Sequence, residues 1–206
     1  MPEGPEVFAL AYAIQKYGLH CESYGKHLFI NNSDLSFGLI GKVKIVNGII
    51  EKNTNHWRTG YNRSCTNISE LIQNNKLGVN LLTTDLSTVL TIVNNWQKSK
   101  KKLALLLLDQ SQIAGIGVAW GSEICNLANL RPELPAKEQD LSKLAQTIIF
   151  IRDNIRNLYQ TFVDNSKSNE IFINEWFDNL YTIRNMTVYK KGKSIEISNR
   201  NWWISP

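Results

Sequence analysis

The sequence predicts an α+β protein of two lobes, and three observations lead there. Strand-forming residues gather between turn signals in the first third of the chain, apolar residues at helical spacing fill the middle, and a second strand-rich tail closes it. Of its 206 residues 43% are hydrophobic and 20% charged, the composition of a packed soluble protein rather than a disordered or fibrous one. That length supports one sizeable core or two small ones sharing an interface. The expected boundary follows Leu77: a β-rich domain over 1–77 and a helical domain over 78–206.

Taken in order, Val7, Leu10, Ala11 and Ile14 recur at helical spacing after Glu6, and Gly18 ends the run, so the chain opens on a helix. "HLFINN", "LSFGLIG" and "KVKIVNGII" cluster β-branched and aromatic residues between Asn, Asp and Gly. They predict a short antiparallel β-sandwich. Residues 51–75 are polar, rich in Asn and Thr and without a period, and read as loop or edge strand. Leu86, Val89, Leu90 and Val93 then share one helical face, and "LALLLLD" forms a short apolar helix behind a lysine run. A further helix runs from about Val118 to Ala128. The longest helix lies in "DLSKLAQTIIFIRDNIRNLYQTF", where Leu141, Leu144, Ala145, Ile148, Ile155, Leu158 and Phe162 form a stripe and Asp140 caps the start. The tail, about 186–206, reads as a β-hairpin turning at Lys190 to Lys193, with Gly192 supplying the positive φ.

Charge and cysteines narrow the class. Lys and Arg number 23 against 18 Asp and Glu, a net +5 that favours polyanionic partners. Cys21, Cys65 and Cys125 are odd in number and far apart, which suggests neither a disulfide framework nor a zinc knuckle and fits a reducing interior. There is no basic start followed by an apolar run, and the longest apolar stretch, Leu103 to Leu108, is too short for a bilayer. A soluble, monomeric, intracellular protein of cytoplasm, nucleoid or nucleus is expected, with no membrane partner and no cofactor.

Three stretches carry chemistry. Removal of Met1 would make Pro2 a free secondary amine with a pKa nearer neutrality than that of lysine. Such an amine attacks an aldehyde-type carbon to give an iminium, an electron sink for elimination next door, and Glu3 beside it can move the proton. Pro5 suits the first helical turn, where its missing N–H costs nothing, and would hold the amine in place. Next, Lys26 starts a strand after a glycine, and "FGLIGKVK" presents Leu39 between glycines with Lys42 and Lys44 just beyond. These are either surface residues of a solvated hairpin or phosphate contacts with Leu39 as a wedge between base steps. Lastly, Lys98, Lys100, Lys101 and Lys102 precede the tight turn Gly115-Ile116-Gly117. A turn feeding a helix aims backbone N–H groups and the positive helix end at an anion.

With these residues placed, the chain resembles the formamidopyrimidine-DNA glycosylase and endonuclease VIII family. "MPEGPEV" is similar to the family's opening in its endonuclease VIII-like form, "GKHLFI" to the strand carrying its lysine, and "FGLIGKVKI" to its gap-filling loop. "IAGIGVAWGSEICNLANLRP" resembles its helix-two-turns-helix motif, and "VYKKGK…NRNWWISP" its C-terminal finger, with Arg200 at the DNA-contacting arginine. The resemblance implies a two-lobed bifunctional DNA glycosylase and abasic-site lyase of base-excision repair. It assigns catalysis to Pro2, Glu3, Glu6 and Lys26. It assigns DNA contacts to Leu39, Lys42, Lys44, Lys101, Lys102, Gly115, Gly117 and Arg200. The implied partner is damaged DNA, duplex, single-stranded or branched.

The departures are also specific. Val118 stands where the family has an asparagine reaching phosphate. The finger has no cysteines, so the resemblance implies a zincless hairpin without metal, held by Trp202 and Trp203. The first lobe is short and has no counterpart of the "DPRRFG"-like stretch, leaving Leu39, with Ile40, as the wedge. Two other readings remain beside the bifunctional enzyme: a lyase acting mainly on abasic sites, and a catalytically degenerate protein that binds damaged DNA. A tautomerase using Pro2 as base shares only the "MP" start. Lesion, opposite base, strand preference and β against β,δ elimination are not written in these motifs.

Overall fold

The structure, a computed structural model, describes residues 3–16, 20–30, 33–36, 43–46, 49–52, 68–166, 170–172 and 179–205. It divides into two compact units: Met1–Lys76 with Ile155–Asn185, and Leu77–Asn154 with Met186–Pro206. One break follows Lys76, and another lies inside the longest helix, whose C-terminal part belongs with the first unit.

The first unit starts with α1, Gly4–Gln15, which buries Val7, Leu10 and Ile14 against the hairpin β1–β2 (Cys21–Tyr24 and His27–Ile30). Strand β3, Ser33–Ser36, adds to β2, giving the antiparallel order β1-β2-β3. A second antiparallel sheet has the order β5-β4-β8, with β4 at Val43–Val46, β5 at Ile49–Lys52 and β8 at Glu170–Phe172. Two corrections fall here. The polar stretch ends in a helix, α2 (Ile68–Asn75), whose buried Leu71 packs with Phe29, Tyr24 and Ile68; one apolar face suffices once a sheet receives it. Strand β8 had no sequence signal, because a segment this short and mixed forms a strand only by adding to a neighbour such as β4.

The second unit contains α3 (Leu86–Trp96), α4 (Leu103–Leu107), α5 (Val118–Leu127) and the start of α6 (Leu144–Asn165). Asp85 caps α3 by accepting from the Thr88 amide at 2.7 Å, and together with the Ser87 hydroxyl this holds its carboxyl down at about 2. Asp140 accepts instead from the Ser142 amide, so it closes a turn ahead of α6 rather than capping the helix. The buried line of α6 runs through Ile148, Ile155, Tyr159 and Val163, while the stripe residue Leu158 is exposed. A parallel pair of two-residue strands, β6 (Val79–Asn80) and β7 (Ile113–Ala114), leads into the glycine turn.

The hairpin is shorter than the tail and turns elsewhere. Strands β9 (Lys193–Ile197) and β10 (Arg200–Ile204) meet at Ser198 and Asn199, both at positive φ (51° and 60°). This two-residue turn with both φ positive matches the right-handed strand twist. The expected turn at Lys190 to Lys193 lies ahead of the hairpin, and positive φ there belongs to Lys190 rather than Gly192.

Candidate active site and nucleic-acid interface

Glu3 takes the N-cap position of α1 with extended backbone (φ −109°, ψ −179°), and Pro5 sits in the first turn. The amide of Glu3 donates to Oε2 of Glu6 at 2.9 Å, as a capping box requires. Glu6 is completely buried. A carboxylate there needs partners, because water no longer solvates it. Its Oε1 accepts from the Tyr159 hydroxyl at 3.0 Å and pairs with Nη1 of Arg184 at 3.4 Å. The Arg184 side chain is 10% exposed and stacks over the Tyr181 ring at 4.5 Å. Burial, and then the charge of Glu6, push the Tyr159 hydroxyl far up, so it stays protonated and donates.

Three donors from three chain segments thus converge on one carboxylate. Through it they hold Glu3, itself buried at 7% exposure, in place. Pro2 is the residue directly before Glu3 in sequence and lies outside the described residues. Lys26 is half-buried in the two-residue turn between β1 and β2, one residue ahead of the strand it was expected to start. Leu39 and Lys42 lie outside the described residues. Lys44 falls in β4, paired in register with Glu51 and Phe172.

The other expected contacts lie in the second unit. Gly115 has φ 116°, a conformation that other residues rarely adopt. Its amide donates to Oε1 of Gln110 at 2.9 Å, and Nε2 of Gln110 donates to the carbonyls of Ile116 and Leu108. The Gly115 N–H is therefore spent inside the turn, which corrects the expectation that it points outward. Helix α5 follows directly, starting at Val118 with Gly117 as its N-cap. Lys101 and Lys102 are exposed on a fixed backbone: the Lys101 carbonyl accepts from the Ala136 amide, and Leu103 donates to Leu134.

The hairpin is fastened along α5. Fully buried Trp202 lies on Gly121, where an added Cβ would meet the indole at 2.9 Å. The Trp203 amide donates to the Ser122 hydroxyl at 3.2 Å, and the Ser205 hydroxyl donates to Oδ1 of Asn126. Trp203 is only half-buried and meets the Tyr189 ring edge-on at 4.5 Å. These contacts align β10 with α5 in the same direction. Arg200 is exposed at the start of β10. Buried Glu123 fixes the approach to the hairpin by accepting from the amides of Thr187, Val188 and Tyr189 at 2.8–2.9 Å.

Tyr159, Arg184, Gln110 and Glu123 were not among the expected residues. The first had a signal: a tyrosine on the line Ile155–Tyr159–Val163 must be buried and so must find an acceptor. Arg184 had none. Buried Cys21 and Cys125 have their thiols pushed up by burial, Cys21 to about 12. Among the described residues no group of three His, Cys, Asp or Glu is gathered as for a metal, and no helix is long and apolar enough to cross a membrane.

An N-terminal helix on small antiparallel sheets, a glycine turn feeding α5 and a hairpin laid along it compose the fold of the formamidopyrimidine-DNA glycosylases. The particular likeness is to Lactococcus lactis Fpg (MutM) in its wild-type complex with DNA containing N7-benzyl-Fapy-dG. That match has 17% identity and a TM-score of 0.65, covering 100% of this chain and 98% of that one. The R247G mutant of the same enzyme, in complex with THF-containing DNA, matches over the same spans with a TM-score of 0.66. The L. lactis enzyme bound non-covalently to DNA containing an AP site matches at 18% identity and 0.59, covering 91% of this chain and 80% of that chain. No protein-family model matches the sequence, and no curated protein does either.

Proposed function

We propose that the chain is a DNA glycosylase and abasic-site lyase of base-excision repair, a compact endonuclease VIII-like member of the formamidopyrimidine-DNA glycosylase family. One observation carries this reading: the residue after Pro2 is seated by a buried carboxylate that draws donors from three separate chain segments. With Met1 removed, the Pro2 nitrogen attacks C1′ of a flipped-out nucleotide and gives up its proton as the C1′–N bond breaks and the base leaves with a proton relayed by Glu3; the C1′–O4′ bond then opens, O4′ takes a proton, and an iminium joins Pro2 to C1′. The resulting iminium acidifies C2′. Loss of that proton sends its electron pair into a new double bond and expels the 3′ phosphate. Water then releases the enzyme. Lys26 holds phosphate near the reaction, while Arg200, Lys101, Lys102 and the Gly117 end of α5 hold DNA, with Leu39, Lys42 and Lys44 at the gap. The protein acts as a monomer, and its hairpin needs no zinc, since Trp202 on Gly121 supplies the packing a metal would.

The test is borohydride trapping on abasic-site DNA. A covalent adduct is expected, lost in Pro2→Gly and when Met1 is retained, and unchanged by chelator. Val118 and the engaged Gly115 amide favour a second reading, a DNA-binding protein without chemistry. Tight binding with no adduct would establish that reading instead.

A further inference from the structure

The chemistry above uses Pro2 and Glu3, and among the described residues a buried polar cluster joins Glu3 to distant parts of the chain. Glu6 joins the Glu3 amide to two side chains from the far end of the chain, Tyr159 on α6 and Arg184 just after the helical stretch 179–183. Nothing in α1 itself requires those two partners: the capping box is complete with Glu3 and Glu6 alone. A buried ion pair is also weak ground for stability, since apolar residues of similar volume often do as well. What the pair does provide is direction. Two donors on Oε1 leave Oε2 aimed at the Glu3 amide, and the Tyr181 ring beneath the guanidinium limits where Arg184 can go.

We infer that Arg184 and Tyr159 are positioning residues for the N-terminal amine: through Glu6 they fix the Glu3 backbone, and so the residue bonded to it, at the reacting carbon. The inference rests on the proposed amine chemistry. It means that Tyr159 and Arg184 set the reactivity at the head of α1, through contacts 153 and 178 positions apart in sequence. Misplacing a nucleophile by about 1 Å costs on the order of a hundredfold in rate without a comparable cost in ground-state binding.

The experiment is single-turnover borohydride trapping at saturating abasic-site DNA, run beside DNA affinity and thermal unfolding, on wild type, Arg184→Met, Arg184→Lys and Tyr159→Phe. The expected result for Arg184→Met is a trapping rate lower by about tenfold to a hundredfold with DNA affinity within about threefold. Arg184→Lys, which keeps the charge, recovers part of the rate. Tyr159→Phe, which removes one donor, loses several-fold. If Arg184→Met does not fold, Arg184→Lys and Tyr159→Phe carry the same comparison. Trapping at the wild-type rate in folded variants overturns this inference and leaves the proposed function standing, as does a loss that follows affinity alone. Absence of adduct in the wild type overturns both.

Discussion

Glu6 and Glu123 are both buried glutamates at the start or middle of a helix, and each accepts three hydrogen bonds, but they choose opposite partners. Glu123 takes three consecutive main-chain amides, Thr187 to Tyr189. Glu6 takes one amide, a phenol and a guanidinium. Main-chain amides are offered by any sequence, so Glu123 ties one backbone segment to another and acts on the fold. Side-chain donors have to be placed one by one, and their removal leaves the backbone hydrogen bonds of α1 in place. The first arrangement secures the hairpin; the second sets the position of a particular residue.

The largest expected effect breaks the first arrangement. Glu123→Ala leaves three amides without their acceptor and should cost about 4 kcal/mol of stability in guanidinium unfolding. Trapping per folded molecule should persist, and an equal loss of chemistry there would erase the distinction between the two glutamates. Trp202→Ala comes next. Large aromatic truncations cost about 3–5 kcal/mol, and this one belongs at the low end because the buried indole N–H has no hydrogen-bond partner among the described residues, so its removal also relieves a penalty.

Arg200→Ala sharpens the comparison from the ligand side. It should leave the unfolding midpoint where it is while weakening DNA binding and reducing the salt slope by about 1; an unchanged slope would remove Arg200 from the interface. The smallest effect belongs to Asp85. Its carboxyl is held near 2 in the folded state against an ordinary value of 3.8. A depressed folded value means the contribution is complete above about 3.8 and is lost as pH falls toward 2. Asp85→Ala should therefore lower the melting temperature slightly at neutral pH and flatten the acid limb of its pH dependence. A parallel acid limb in wild type and variant would exclude that assignment.

Much of this was legible in the chain. The helices α1, α3 and α6 follow from periodicity and α5 from the glycine turn ahead of it, whereas Asp140, expected as a cap, closes a turn instead. The hairpin at 193–204 was legible as a hairpin but misplaced, because Gly192 drew the turn while Ser198 and Asn199 adopt positive φ as a pair. Helix α2 and strand β8 were not legible: each has too little apolar surface to declare itself and takes shape only on a sheet already formed.

By itself the sequence determined the longer helices, the glycine turn ahead of α5, and the placing of Glu3 and Glu6 at the head of a helix, since all of these depend on neighbours within a few residues. Only the tertiary structure decided that Glu6 faces Tyr159 and Arg184, that the Gly115 amide is consumed by Gln110, and that β10 is fastened to α5. Those outcomes depend on burial. A charge such as that of Glu6 settles its partners only when packing removes water and leaves one arrangement in which its oxygens are met.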